Sequence, residues 1–194
     1  MASRKVEIQR KTRETDISLT LDPDAALQPA VTTGISFFDH MLRSMAFHGR
    51  FSLRVEGRGD IDVDPHHLVE DVGIVLGQAF SAVFDKARSV ARFGHAVVPM
   101  DEALSEVTID VCGRPTLSLH ASYPQPSIGV FDLSLLREFF MGLSSQAHIS
   151  LHIDLRRGQN SHHMAESAFK ALGKALKQAY SPENQEMSSK GRIE

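Results

Sequence analysis

Cysteine is nearly absent from this 194-residue chain. Cys112 stands alone, which excludes an internal disulfide and fits a reducing compartment. A bias of charge is missing too. The 21 basic and 24 acidic residues leave a formal net charge of −3, so no one-signed field points to nucleic acid or a membrane surface. No apolar run approaches the ~20 residues that span a bilayer. Residues 1–11 place charges where a signal peptide carries its apolar stretch, so a cytoplasmic protein is expected. Gly57-Arg58-Gly59-Asp60 lacks the strand-then-helix context of a dinucleotide loop, which argues against a nucleotide cofactor. At 42% hydrophobic, the chain fits one globular domain or two small fused units.

Histidine, in contrast, is concentrated. Four of the ten histidines fall in two short runs, His66-His67-Leu68-Val69-Glu70 and His162-His163-Met164-Ala165-Glu166. Each is an HHxxE pattern, and the two lie 96 residues apart. On a helix, positions i and i+3 or i+4 share a face, so either histidine can point with its glutamate. Adjacent histidines sit about 100° apart around the helix and cannot aim at one point. One such turn is an incomplete site; two facing each other could hold a pair of metal ions. A lone pattern of this kind is more often a solvated or satisfied group, but its repetition favours metal binding over coincidence. Imidazole and carboxylate suit Mn, Fe, Co or Zn.

The repeat extends beyond the pentapeptides. At the same offset Leu76-Gly77-Gln78-Ala79 falls on Leu172-Gly173-Lys174-Ala175, and at an offset of 98 Ser52-Leu53-Arg54-Val55-Glu56 falls on Ser150-Leu151-His152-Ile153-Asp154. Each half reads as strand, helix, strand, helix. The strands are expected at 15–21 and 51–56, then at 107–111 and 149–155, with helices at 35–47 and 133–147. The last helix of each half opens on the HHxxE turn and carries apolar residues at helical spacing (Val69, Val72, Gly73, Leu76; Phe169, Leu172, Ala175, Leu176). Asp64-Pro65 and Asn160-Ser161 supply N-cap chemistry before each histidine pair. The expected fold is α+β, an internally duplicated unit of a small sheet backed by two helices. Repeats at 1–91 and 92–181 meet near Arg92-Phe93-Gly94-His95, and a polar tail follows at 182–194. The 98-residue offset also places His40 on Glu138, both able to ligate a metal.

These residues closely resemble the imidazoleglycerol-phosphate dehydratase family over nearly the whole chain. The resemblance runs through Thr33-Gly34-Ile35-Ser36-Phe37-Phe38-Asp39-His40-Met41-Leu42, both HHxxE turns, Arg92-Phe93-Gly94, Met100-Asp101-Glu102-Ala103-Leu104, Gly113-Arg114-Pro115 and Ser189-Lys190-Gly191. It implies duplicated repeats of the ribosomal protein S5 domain 2-like kind. It also implies two Mn(II) ions per site and dehydration of imidazole glycerol phosphate to imidazole acetol phosphate in histidine biosynthesis. Homo-oligomers of twenty-four subunits, built from trimers with sites between neighbours, are implied as well. The metal ligands carried over are His40, His66, His67, Glu70, His162, His163 and Glu166. Glu138 stands where the family usually has a further histidine. A carboxylate can replace imidazole on Mn(II), or the ligand could come from His148 or His152.

The chemistry explains the ligand set. The carbon losing its proton has no adjacent carbonyl, so metal charge on the substrate imidazole must stabilise a ring anion that expels the neighbouring hydroxyl. Carboxylates then move protons, and Glu14 and Glu166 are the candidates. A phosphate needs cationic and hydroxyl partners, for which Arg92, Arg114, Lys170, Ser189 and Lys190 match the family's positions. The tail is thereby expected to close over the active site. His48 matches a substrate-contact segment, and substrate contact is also expected from His40, His66, Glu70 and His162. Asp101-Glu102 either orients metal-bound histidines or caps a helix. Two rival readings remain, a di-metal hydrolase of esters and a metal-clamped assembly protein without catalysis.

Overall fold

Period-2 burial builds the first sheet of the computed structural model, which describes residues 3–87 and 89–183. In strand β2 (Thr15–Asp22) the residues Ile17, Leu19 and Leu21 face inward and are at most 1% exposed, while Asp16 and Ser18 face out. β2 pairs antiparallel with β1 (Val6–Lys11) and β4 (Ser52–Gly59), and β4 pairs in parallel with the short β3 (Ala30–Thr32). The sheet order is β1-β2-β4-β3.

The second sheet repeats this plan strand for strand. β5 (Phe93–Met100), β6 (Ala103–Val111), β10 (Ile149–Arg157) and β7 (Thr116–His120) stand in the order β5-β6-β10-β7, again with one parallel pair, β10 with β7. Val107, Ile109, Leu151 and Ile153 form its inner face. A two-stranded hairpin, β8 (Ser127–Ile128) with β9 (Phe131–Asp132), precedes the third helix.

Four helices lie between the sheets: α1 (Ser36–Gly49), α2 (His66–Lys86), α3 (Leu135–Ala147) and α4 (Ser161–Ala179). α1 and α2 pack on the first sheet, α3 and α4 on the second, yet the closest helix pairs cross between halves, α1 with α4 and α2 with α3. Glycine permits both crossings. A Cβ on Gly173 would stand 2.0 Å from the Met45 carbonyl oxygen, and one on Gly77 would stand 2.7 Å from that of Leu143. Met45 and Leu143 are themselves 98 residues apart, so the two crossings are copies.

By length and composition α2 is the one helix among the described residues suited to cross a membrane. Here it is a core helix. Leu68, Val69, Val72, Val75 and Leu76 are fully buried, each burial contributing about 1.5–3 kcal/mol. Asn160 caps α4 as expected, its Oδ1 accepting from the His162 backbone N–H at 2.9 Å. At α2 the cap position is Pro65, which makes no side-chain cap bond, and Asp64 Oδ1 one residue earlier accepts from the His66 backbone N–H at 2.6 Å. The four expected strands run longer than their apolar patterns, since pairing continues to Gly59 and Arg157, whereas α3 starts at Leu135, two residues later than expected. Each sheet also holds two strands that the pattern did not show, β1 and β3 in the first and β5 and β7 in the second.

Candidate active site

The crossing of α1 with α4 brings His40 beside the second HHxxE turn. His40 Nε2 lies 3.6 Å from Glu166 Oε2, and His162 Nε2 lies 3.5 Å from the same oxygen. One donor atom from each of the three residues falls within 4.8 Å of the others. Donors held about 2 Å from one ion stand about 3–3.5 Å apart, so the trio fits a divalent cation. Lys170, one turn on, holds the other oxygen, Glu166 Oε1, at 2.9 Å. This leaves Oε2 for the histidines. Phe37 meets the His162 ring edge-on at 5.3 Å and limits its rotation. Glu166 is only 8% exposed. Burial pushes its carboxyl upward, but the Lys170 hydrogen bond and charge, with His40 and His162, outweigh that and hold it below the usual range.

The first HHxxE turn is more open. His66 Nε2 lies 3.7 Å from Glu70 Oε2, with side chains 41% and 44% exposed. Among the described residues no third group joins them within 4.8 Å. Glu138 is half-buried on α3 at the position corresponding to His40, and no contact of its carboxylate brings it to this pair among the described residues. His148 cannot serve in its place from the same helix. It caps the far end of α3 at φ 53°, about 15 Å along the axis from Glu138 at ~1.5 Å per residue. His152 is exposed on β10, between the inward Leu151 and Ile153, and so points away from the helices.

In each turn the second histidine points elsewhere. The ring planes stand at 85° for His66 and His67 and at 83° for His162 and His163. His67 Nδ1 meets Asp60 Oδ2 at 3.0 Å, with Glu14 Oε2 further off at 3.9 Å. His163 Nδ1 meets Glu102 Oε2 at 2.8 Å, and its Nε2 lies 3.7 Å from Asp101. The hydrogen bond to Asp60 raises the His67 pKa, and that to Glu102 raises the His163 pKa. Glu102 itself is lowered to about 2, chiefly by His163 and then by the Gln159 and Asn160 backbone N–H groups. Glu102 thus orients a histidine and fastens the turn before α4, while the cap of α4 is Asn160 rather than Glu102. Asp60 went unnoticed in the sequence, where a lone acid seven residues before His67 carries no periodic signal.

The phosphate candidates are dispersed. Arg92 grips Asp110 through Nε at 2.7 Å and Nη2 at 3.2 Å, with its guanidinium 4.8 Å from the Phe93 ring centroid. Arg114 is exposed after Gly113, whose φ is +76°. His48 sits at the end of α1 near the Lys170 side of α4. Burial, then the charges of Lys170 and Lys174, lower its pKa. Ser189 and Lys190 lie outside the described residues.

Comparison with known proteins supplies the family. The family profile of imidazoleglycerol-phosphate dehydratase matches residues 33–176. The chain belongs to the imidazoleglycerol-phosphate dehydratase family. It is thereby a hydro-lyase of histidine biosynthesis, which sets aside the hydrolase and assembly-only readings. The family's member from Acidithiobacillus ferrooxidans is 47% identical over 184 residues, covering 94% of this chain and 92% of its own length. That from Gluconobacter oxydans is 49% identical over 179 residues, covering 92% and 90%. The crystal structures of the Staphylococcus aureus and Pyrococcus furiosus members superpose with a TM-score of 0.84 each, at 36% and 34% identity. They cover 92% and 95% of this chain and 99% of their own chains. The duplicated sheet-and-helix fold expected from the repeat is the fold of these relatives.

Proposed function

We propose that the enzyme dehydrates imidazole glycerol phosphate to imidazole acetol phosphate in the cytoplasm, at a site holding two divalent ions, Mn(II). The observation that carries the metal is the convergence of His40, His162 and Glu166, with one Glu166 oxygen left open by Lys170. His66 and Glu70 would serve the second ion on the other crossing, and Glu138 is joined to them by its correspondence with His40 rather than by contact. When bound, the ions supply Lewis acidity to the substrate imidazole. His67 and His163, each fixed at Nδ1 and turned from its own turn's partner, suit a second copy of the chain. This supports sites shared between neighbouring copies, and we propose, from the family resemblance, that those copies form a twenty-four-subunit assembly built from trimers.

The chain's own groups then handle protons and the phosphate. Glu14 is exposed on the β1–β2 turn, and its carboxylate accepts no hydrogen bond among the described residues, which leaves it free to exchange a proton with carbon or the leaving hydroxyl. Glu166 is the second proton-handling carboxylate. Lys170 and Arg114, with Arg92, His48, Ser189 and Lys190, would take the phosphate.

Glu14→Gln tests the assignment. The expected result is loss of turnover by about 10²–10⁴-fold with particle mass and metal content unchanged. Normal turnover would remove Glu14 from the mechanism, and absence of Mn(II) binding by the parent protein would remove the ions.

A further inference from the structure

We infer that Asp60 and Glu102 are paired positioning residues that fix the tautomers of His67 and His163, and that Asp60 thereby frees Glu14. The inference rests on the metal reading above. The two carboxylates do not correspond in the duplication. Asp60 follows the end of β4, whereas Glu102 lies in the turn between β5 and β6. Yet they reach the same atom, Nδ1, of corresponding histidines, at 3.0 and 2.8 Å. Two unlike loops arriving at one arrangement is hard to attribute to packing. A carboxylate on Nδ1 holds the proton there and leaves the Nε2 lone pair directed outward, which is the state a metal-binding imidazole needs.

The turns themselves do correspond, and this gives the second half of the inference. Glu14 lies in the β1–β2 turn as Glu102 lies in the β5–β6 turn. In the second half the turn's acid is committed to His163 and to two backbone N–H groups. In the first half Asp60 takes the histidine, and Glu14 stays 3.9 Å away with its side chain 57% exposed. One acid has been added, and one is released for chemistry.

The Asp60 carboxylate's hydrogen bonds among the described residues go to His67, so its replacement tests positioning with little disturbance of the fold. Mn(II) affinity would be measured by chelator competition on stripped protein, beside the apo melting temperature, for Asp60→Ala, Asp60→Asn and Glu102→Gln. Parent protein should bind two ions per chain. Asp60→Ala should weaken one class of site about 10–100-fold and leave the other class and the apo melting temperature unchanged. Asp60→Asn, which keeps an acceptor oxygen, should recover part of the affinity and carries the test if the alanine variant does not fold. Glu102→Gln should weaken the other class. Equal affinity in parent and both Asp60 variants overturns the inference while leaving the metal site standing. No Mn(II) binding by the parent overturns the metal reading, and this inference with it.

Discussion

The two HHxxE turns share a sequence pattern and a place in the fold, but their surroundings differ. On α4 the glutamate side chain is 11% exposed, gripped by Lys170 and faced by His40 and His162. On α2 the glutamate side chain is 44% exposed and has His66 alone at 3.7 Å. Where α4 has Lys170, α2 has Ile74; where α1 has His40, α3 has Glu138. The helix crossings beneath are nonetheless copies, Gly173 on Met45 and Gly77 on Leu143. Duplication preserved the packing and let the chemistry drift. Backbone approach at a glycine tolerates no change, whereas a half-exposed ligand position accepts several side chains.

The largest effect expected from this difference is at the glutamates. Glu166→Gln should lower turnover by about 10²–10⁴-fold and release the Lys170 contact. Glu138→Ala should cost about 10–100-fold in turnover and in affinity for one ion, while Glu138→His should keep both. If both substitutions at 138 leave metal binding unchanged, position 138 is no ligand and the correspondence with His40 is one of position only.

Much of this could be read in the chain itself. The repeat, the α2 and α4 helices and their caps rest on local signals: periodicity, an Asp or Asn before each histidine pair, and matched offsets. That adjacent histidines aim at different partners followed from helix geometry alone. What stayed hidden is nonlocal. Nothing in the apolar period of α1 says that it packs on α4 rather than on α2, and the trio of His40, His162 and Glu166 depends on that crossing. β3 is three residues long, too short for alternation to register, and its parallel partner is distant in sequence. Asp60 and Asp110 acquired their meaning only when strands brought them to His67 and Arg92.

Packing should respond alike in the two halves. Gly173→Ala and Gly77→Ala should each destabilise by about 1–3 kcal/mol, Gly173 more because its Cβ would meet backbone at 2.0 Å rather than 2.7 Å. Chemical denaturation of the stripped protein measures this. A neutral Gly173→Ala would show that the crossings are looser than described and the likeness of the halves only apparent.

The smallest effect concerns a clamp between the halves. Arg4 donates to both oxygens of Asp24, at 2.9 and 2.6 Å, and to the Tyr180 carbonyl beyond α4 at 2.7 Å. The Arg4 hydrogen bond holds the Asp24 carboxyl below its ordinary value against the opposing effect of burial. A carboxyl lowered on folding contributes stability above its unfolded value, and that contribution is lost as pH falls through the folded one. Asp24 is 47% exposed, so solvent screening keeps the effect of Asp24→Asn to about 1 kcal/mol or less at neutral pH. The gap between parent and variant should close below about pH 4, as melting temperatures across pH would record.

The mechanism depends on whether the repeated turns hold catalytic metal for the dehydratase. Turnover of imidazole glycerol phosphate by chelator-stripped, folded protein, with and without added Mn(II), tests it most directly. The ketone product should vanish on stripping and return with Mn(II). Undiminished turnover by metal-free protein would contradict it.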